Sequence, residues 1–320
     1  MVTTSAGLLL DMETPENLGA LEIATCLSLM LQGVSLAQGY TYYTHCSRDR
    51  LRLKILVLSL LVLDTFHSFT SGHMIYFSSI THTGHAEANS IPLSVTVAIE
   101  SIITFLVEAF FAQRIWRLSM RRAPALACFA PAALRFACAA VLSGASVRDV
   151  FRTPNGVFVN ELNWLITTGL ALGAATDVLI ATCMIFYLAR MFSMYNLRST
   201  TAMLNRLVRM SLQTGLLTSI TSVSVIITFQ AMSNMIWVAL YVILAKLYAL
   251  SLLVSLNARH AAAATLAPPS HPDAEMPTQS LNFAPRSISF ARARDGDGHA
   301  VERERRGKEV GLVDVAAGRV

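Results

Sequence analysis

The sequence predicts an all-α fold, a polytopic membrane bundle of seven transmembrane helices with its N-terminus outside the cytoplasm and its C-terminus inside. Three observations predict it. Apolar residues make up 54% of the 320 residues and charged residues only 14%, whereas soluble chains carry about a quarter charged residues. The apolar residues form blocks of about 20, long enough to cross a bilayer. Basic residues gather in alternate connections between these blocks, which sets the orientation.

The spans follow from reading apolar windows along the chain. The fourth window is the weakest, because it holds Pro124, Pro131 and Arg135. A proline inside a helix removes a hydrogen bond, so Pro131 can interrupt this span. The seven windows cover residues 18–40, 53–79, 91–113, 123–145, 162–189, 207–229 and 235–256.

The distribution of lysine and arginine gives the orientation. With their helix-flanking residues, the first, third and fifth connections carry four basic residues each, the fourth carries only Arg148 and Arg152, and the second and sixth carry none. Basic connections stay in the cytoplasm, so the odd-numbered connections are predicted to be cytoplasmic. Without the fourth span, the third and fifth connections would fall on opposite sides although both are basic. The charges therefore support seven helices independently of hydropathy.

The segments outside the spans differ in composition. Residues 1–17 carry three acidic residues and no basic one, the reverse of a cleavable signal peptide, so the first span is expected to be retained behind a short extracellular N-terminus. Residues 257–320 are rich in Ala, Pro, Ser, Arg and Glu with few large apolar residues, which predicts a disordered, basic cytoplasmic tail. No cysteine lies in a loop predicted to be outside, so we expect no disulfide framework.

Ionisable residues inside the spans are the candidates for function, because each costs about 2.5–3.5 kcal/mol at mid-membrane. Counting from the span ends puts two acids and two bases at one central level, with Glu108 and Asp177 nearer the cytoplasm. They are either a polar cavity for a ligand, an ion or a proton, or structural pairs in which Lys246 takes one acid and Arg135 the other. The four central residues are Asp64, Glu100, Arg135 and Lys246.

Two helices carry further patterns. In the second span Asp64, His67, Ser68 and Ser71 share one helical face, which is expected to face the bundle. Asp64 and His67 are interpreted as a proton relay or half of a metal site, or as a buried hydrogen-bonded pair.

The fifth span repeats small or polar residues every four positions, at Gly169, Gly173, Asp177 and Ala181. Small residues at this spacing allow close helix contact, so Gly169 and Gly173 are predicted to form a packing face that brings Asp177 into the bundle.

Two cofactor hypotheses have less support. Four more candidate zinc ligands lie at or beyond the outer end of the second span: His73, His82, His85 and Glu87. Together with Asp64 and His67 they suggest an intramembrane zinc hydrolase, because zinc binds histidine and carboxylate ligands. No second helix supplies a histidine pair, however. A mid-helix lysine in a seventh helix suits a retinal protein, but Val242 stands where microbial rhodopsins have an acid. We therefore expect no metal, no cofactor and no enzymatic activity.

Several segments resemble a family of fungal, mainly basidiomycete, seven-transmembrane proteins that carries the domain of unknown function 6534. The resemblance covers roughly residues 20–260 and implies the seven-helix fold, but no activity. Asp64, His67, Asp177 and Lys246 lie within the similar segments. These segments include Leu63-Asp-Thr-Phe-His67, Thr176-Asp-Val-Leu-Ile-Ala-Thr182, Leu204-Asn-Arg-Leu-Val208 and Ala245-Lys-Leu-Tyr-Ala249.

The function expected from these patterns is that of a receptor-like sensor of a small ligand, in the plasma membrane rather than an internal one. Basic connections and the tail offer a surface for a cytoplasmic signalling partner, and no pattern points to nucleic acid. The third helix ends without Asp-Arg-Tyr and the seventh lacks Asn-Pro-x-x-Tyr, so coupling to a G protein rests on topology alone. The alternative is a small-solute or proton-coupled transporter using Asp64, Glu100 and Lys246. No internal repeat supports it.

Overall fold

A computed structural model of the chain describes residues 15–46, 49–81, 89–152, 159, 161–194, 198–232 and 234–264. Within these ranges the regular structure is entirely helical and includes seven long helices. Each of them overlaps one predicted window. They are α1 (Pro15–His45), α2 (Leu51–Tyr76), α3 (Ile91–Ser119), α4 (Arg122–Arg152), α5 (Asn163–Met194), α6 (Arg198–Ala231) and α7 (Ile236–Ala264).

The ends of the helices have local causes. The Ser90 side chain accepts a hydrogen bond from the Leu93 backbone N–H at 3.4 Å, and Pro92 follows in the first turn, so α3 begins at a capped, proline-compatible start. Its end is marked by Met120, whose φ of 55° lies in the left-handed region. At its C-terminal end α2 continues as a π-helical turn, Phe77–Thr81.

Two boundaries differ from the sequence prediction. Pro131 lies inside α4 without interrupting it, since the helix runs from Arg122 to Arg152. α7 continues beyond residue 256 to Ala264, because the alanines at its end favour helix although they lie past the apolar window. The rest of the predicted tail and residues 1–14 of the predicted extracellular N-terminus lie outside the described residues.

The helices pack in chain order. Each contacts its neighbours in sequence, and α7 also contacts α1, which closes the ring; α3 additionally contacts α5 and α7. The outward face is apolar, with Ile23, Met30 and Phe69 each about two-thirds exposed, while many polar side chains are buried. This distribution is the reverse of a water-soluble protein and suits a bundle surrounded by lipid.

Six helices in the described residues are long and apolar enough to cross a membrane. The exception is α6, whose described apolar part is the 17-residue stretch Gly215–Ala231. The chain is therefore an all-helical, polytopic membrane protein. That α6 also crosses, and which end of the bundle faces the cytoplasm, remain predictions.

Candidate functional site

A buried ion pair joins α2 and α7. The Lys246 ammonium donates to Asp64 Oδ1 at 2.7 Å, and neither side chain is accessible to solvent. Its Nζ also lies 2.7 Å from the Asp64 backbone oxygen, 2.7 Å from the Ser68 hydroxyl and 3.0 Å from Gln32 Oε1 on α1. Lys246 thus ties three helices together, and its three protons have four acceptors.

The polar face of α2 points into the bundle as predicted, with Asp64, His67, Ser68 and Ser71 all buried. The expected Asp64–His67 hydrogen bond is absent, however. Both ring nitrogens of His67 and the second carboxyl oxygen of Asp64 have no partner within the described residues. The i, i+3 spacing put the two side chains on one face, but Asp64 turns to the ammonium of Lys246 instead, because a charged partner gives the stronger hydrogen bond.

A second buried network centres on Arg135 of α4. Its Nη1 donates to Glu108 Oε1 of α3 at 2.9 Å and to the Tyr248 hydroxyl of α7 at 3.2 Å. Tyr248 in turn donates to Asp177 Oδ2 at 2.6 Å, and the Ser222 hydroxyl of α6 donates to the same oxygen at 2.8 Å. This chain of hydrogen bonds connects five helices, α3 to α7, and includes two carboxyl groups, those of Glu108 and Asp177.

The pairing of Arg135 differs from the structural-pair alternative of the sequence analysis, in which Arg135 takes the central acid left by Lys246. That acid is Glu100, and it forms no hydrogen bond within the described residues, although it is fully buried within electrostatic range of Arg135. Arg135 bonds to Glu108, which lies two turns closer to the C-terminal end of α3. A long arginine side chain reaches more than one turn along a neighbouring helix, so depth counted along the chain did not determine its partner.

The small residues of α5 lie against α4 and α6. A Cβ added to Gly173 would lie 2.9 Å from Arg135 Cζ and Nε, so the absent side chain provides the space that the guanidinium occupies. A Cβ at Gly169 would lie 3.8 Å from Cys138 Cβ, an ordinary contact. One turn further on, Asp177 bonds to Tyr248 and Ser222. The four-residue spacing therefore lies along an interhelical face.

A cavity of about 90 Å³, here called the large cavity, lies between α3, α4, α5 and α7. Apolar side chains form most of its wall, among them Leu142, Leu170 and Val238. Arg135 and Tyr241 also line it. The two recorded hydrogen bonds of Arg135 both use Nη1, so its Nε and Nη2 donors have no partner within the described residues. The large cavity therefore combines apolar walls with free hydrogen-bond donors.

Metal ligands are not assembled among the residues that the structure describes, since no group of three histidine, cysteine or acidic side chains is close enough to hold an ion. The zinc hypothesis also involved three residues that lie outside the described ones: His82, His85 and Glu87. The five cysteines are all free thiols.

Three residues of the networks and of the large cavity were not predicted from the sequence. Gln32 is the middle one of three amide side chains in the apolar α1, and Tyr241 and Tyr248 lie seven residues apart on one face of α7. Polar atoms at such positions are a detectable signal, but tyrosine and glutamine carry no charge and so indicate a site less clearly than ionisable residues do. Their role depends on which helices are neighbours, and that information comes only from the fold.

Together the fold and the two networks define the class: a polytopic α-helical membrane protein whose interior holds paired and unpaired ionisable groups. Residues 173–261, from α5 to near the end of α7, match the model described as Family of unknown function (DUF6534). The match includes Asp177, Ser222, Lys246 and Tyr248, and it agrees with the C-terminal part of the resemblance. The fungal source and the N-terminal part of the resemblance stay predictions. Neither the curated proteins nor the solved structures include a match to this chain.

Proposed function

We propose that this protein is a receptor-like sensor of a small, largely apolar ligand that carries a hydrogen-bond acceptor. The large cavity with the free donors of Arg135 in its wall is the observation that carries the proposal. Ligand sites are typically apolar pockets with a few placed polar groups, and this cavity has that composition. Its volume accommodates several water molecules or the end of a small organic molecule.

The contacts of Arg135 supply a route from the cavity to other helices. A ligand oxygen that accepts from Nε or Nη2 would pull on the guanidinium that also holds Glu108 and Tyr248. Tyr248 shares Asp177 with Ser222 of α6, so a shift of Arg135 alters the contacts of α6. A ligand can bias a conformational equilibrium only through contacts that differ between states, and in this proposal these hydrogen bonds are the contacts that the ligand changes.

The remaining parts of the proposal concern surroundings and partners. In the predicted orientation the large cavity lies in the outer half of the bundle, because it is lined by the N-terminal turns of α3 and α7. The basic connections and the tail then face the cytoplasm, where they suit an acidic face of a signalling partner. The protein so described resides in the plasma membrane and catalyses no reaction.

The test is ligand-dependent thermal stability of the purified protein in detergent, with a panel of small alcohols, ketones and carboxylic acids. Ala139→Phe fills the large cavity without removing a polar group, since Ala139 lies in its wall. Val141→Phe is the matched control, because Val141 is on the same helix and 57% exposed to lipid. A ligand at a hundredfold excess over its dissociation constant stabilises the folded state by about 2.7 kcal/mol.

We expect at least one compound to raise the melting temperature of the wild type and of Val141→Phe but not of Ala139→Phe. If every active compound stabilises Ala139→Phe as much as it stabilises the wild type, the large cavity is not the ligand site.

Proton-coupled transport is the second candidate, and a different observation favours it. Several buried titratable atoms lack a hydrogen-bond partner among the described residues: Asp64 Oδ2, both nitrogens of His67, both oxygens of Glu100 and Glu108 Oε2. Such atoms need water, protons or ions to compensate for their burial. Proton flux into liposomes that is present in the wild type and lost in Glu100→Gln would favour transport over sensing.

A further inference from the structure

A second, smaller cavity lies between α3, α5, α6 and α7, one to two turns from the large cavity along α7. Its volume is about 30 Å³, enough for one or two water molecules or one monovalent cation. Both acids of the Arg135 network, Glu108 and Asp177, line it together with Thr218, Tyr248 and Ser251. We call it the small cavity.

The hydroxyl groups around the small cavity use their protons elsewhere. Thr218 donates to the Gly215 backbone oxygen at 3.0 Å, and Ser251 donates to the Tyr248 backbone oxygen at 2.8 Å. Tyr248 donates its phenolic proton to Asp177 Oδ2 at 2.6 Å. Each of these hydroxyl groups has used its proton, so only the lone pairs of its oxygen remain. The hydroxyl groups of this wall can therefore accept a hydrogen bond or bind a cation, but they have no proton left to donate.

Two carboxyl oxygens of the residues lining the small cavity form no hydrogen bond within the described residues. Glu108 is 2% exposed, and its Oε2 has no hydrogen-bond partner within the described residues. Among the residues that the structure describes, the hydrogen bonds of Asp177 all go to Oδ2 and none goes to Oδ1. A carboxylate buried in this way is costly unless a positive charge or a proton compensates for it.

The Arg135 network contains more acidic groups than basic ones, so a bound cation would balance its charge. Arg135 forms an ion pair with Glu108 and lies within electrostatic range of Glu100 and Asp177, so three acids share one guanidinium. Lys246 does not contribute, because it is already paired with Asp64. Fully ionised, the network would carry a surplus of negative charge inside an apolar bundle.

From these observations we propose that the small cavity binds a monovalent cation, sodium, between Glu108 and Asp177, with Thr218 and Ser251 supplying hydroxyl oxygens. Hard cations take oxygen ligands, and calcium needs six to eight of them, more than this largely apolar wall provides. Sodium therefore suits the cavity better than a divalent ion. The proposal is independent of whether the large cavity binds a ligand.

The experiment compares melting temperatures of the whole protein in detergent in sodium chloride and in choline chloride at equal ionic strength. Equilibrium binding of radiolabelled sodium is the second readout. We expect sodium to raise the melting temperature saturably, choline to have no such effect, and Asp177→Asn to abolish both the shift and the binding.

Because Asp177→Asn also disturbs a hydrogen-bond network, a milder pair of variants keeps the test decisive. Thr218→Val removes one oxygen from the wall, while Thr221→Val is a matched change on the same helix outside the wall. Loss of one ligand oxygen is expected to raise the half-saturating sodium concentration roughly tenfold in Thr218→Val, with no change in Thr221→Val.

Three results would overturn the proposal. One is equal stabilisation by sodium and choline, which indicates a general salt effect. Another is an unchanged sodium response in both Asp177→Asn and Thr218→Val. The third is stabilisation by acid with no response to sodium, which would assign protons to the surplus acids.

Discussion

Lys246 is the most constrained residue of this protein. A fully buried ammonium is tolerated in a membrane helix only when its charge is compensated, and here Asp64, Ser68 and Gln32 surround it. The pair is separated by 182 positions in sequence and joins α2 to α7 at mid-membrane. Removing one partner leaves the other charge buried and alone, whereas removing both leaves no net charge.

The residue-scale prediction is a double-mutant cycle on this pair. Asp64→Asn and Lys246→Met are each expected to lower the free energy of unfolding by about 3–5 kcal/mol, the usual cost of breaking a buried ion pair. The double variant is expected to be more stable than the sum of the two single losses implies. Unfolding in mixed micelles with increasing dodecyl sulfate measures all four proteins.

Phe69→Leu serves as the control for that cycle, because Phe69 is on α2 and 68% exposed to lipid. Strict additivity of the two single effects would mean that Lys246 and Asp64 do not stabilise the protein as a pair.

At the scale of elements, α5 shows how small residues position a charged network. Gly173 gives Arg135 its space, and further along the same helix Ala181 packs against Gly215 of α6, where an added Cβ would lie 3.2 Å from the alanine Cβ. α5 therefore approaches α4 and α6 at positions where its own side chains are small. The resulting proximity lets Asp177 reach Tyr248 and Ser222.

Glycine-to-alanine substitutions test this packing. Gly173→Ala would force the guanidinium away from Glu108 and Tyr248, and Gly215→Ala would crowd Ala181, so each is expected to cost about 1–3 kcal/mol in unfolding free energy. Gly72→Ala is the matched control, because no atom lies within 4 Å of an added Cβ there, and it is expected to stabilise by about 0.5–1 kcal/mol.

Thermal melts of the three variants in one detergent measure the differences. If Gly173→Ala and Gly215→Ala melt no lower than Gly72→Ala, close packing of α5 does not contribute to stability.

At the scale of the whole molecule, seven helices form a closed ring, and six of them meet the length and hydropathy of a membrane span within the described residues. α6 is the undecided element. It packs against α5 and α7 in the ring, and its buried face carries Ser222 toward Asp177. A helix in that position that did not cross the bilayer would leave the faces of α5 and α7 that pack against it open to lipid.

The topology prediction follows from the number of crossings. Seven crossings place the two termini on opposite sides of the membrane, and the basic connections place the C-terminus in the cytoplasm. A reporter fused to the C-terminus is expected to be active in the cytoplasm, while a glycosylation acceptor added to the N-terminus is expected to be modified. Termini on the same side would show that one helix, α6 first among the candidates, does not cross.

The sequence by itself determined the class of this protein, the existence and approximate position of its helices, and the inward face of α2. These properties depend on local composition and on helical periodicity, and both are determined by residues close together in the chain.

Only the tertiary structure decided that Lys246 pairs with Asp64, that Arg135 pairs with Glu108 and not Glu100, and that His67 and Asp64 do not bond to each other. It also decided that Arg135 lines the large cavity while its partners Glu108 and Tyr248 line the small one. Helices at one membrane depth have several possible partners, and a long side chain spans more than one turn, so the partner depends on helix neighbours and rotation. Neither is encoded by position along the chain alone.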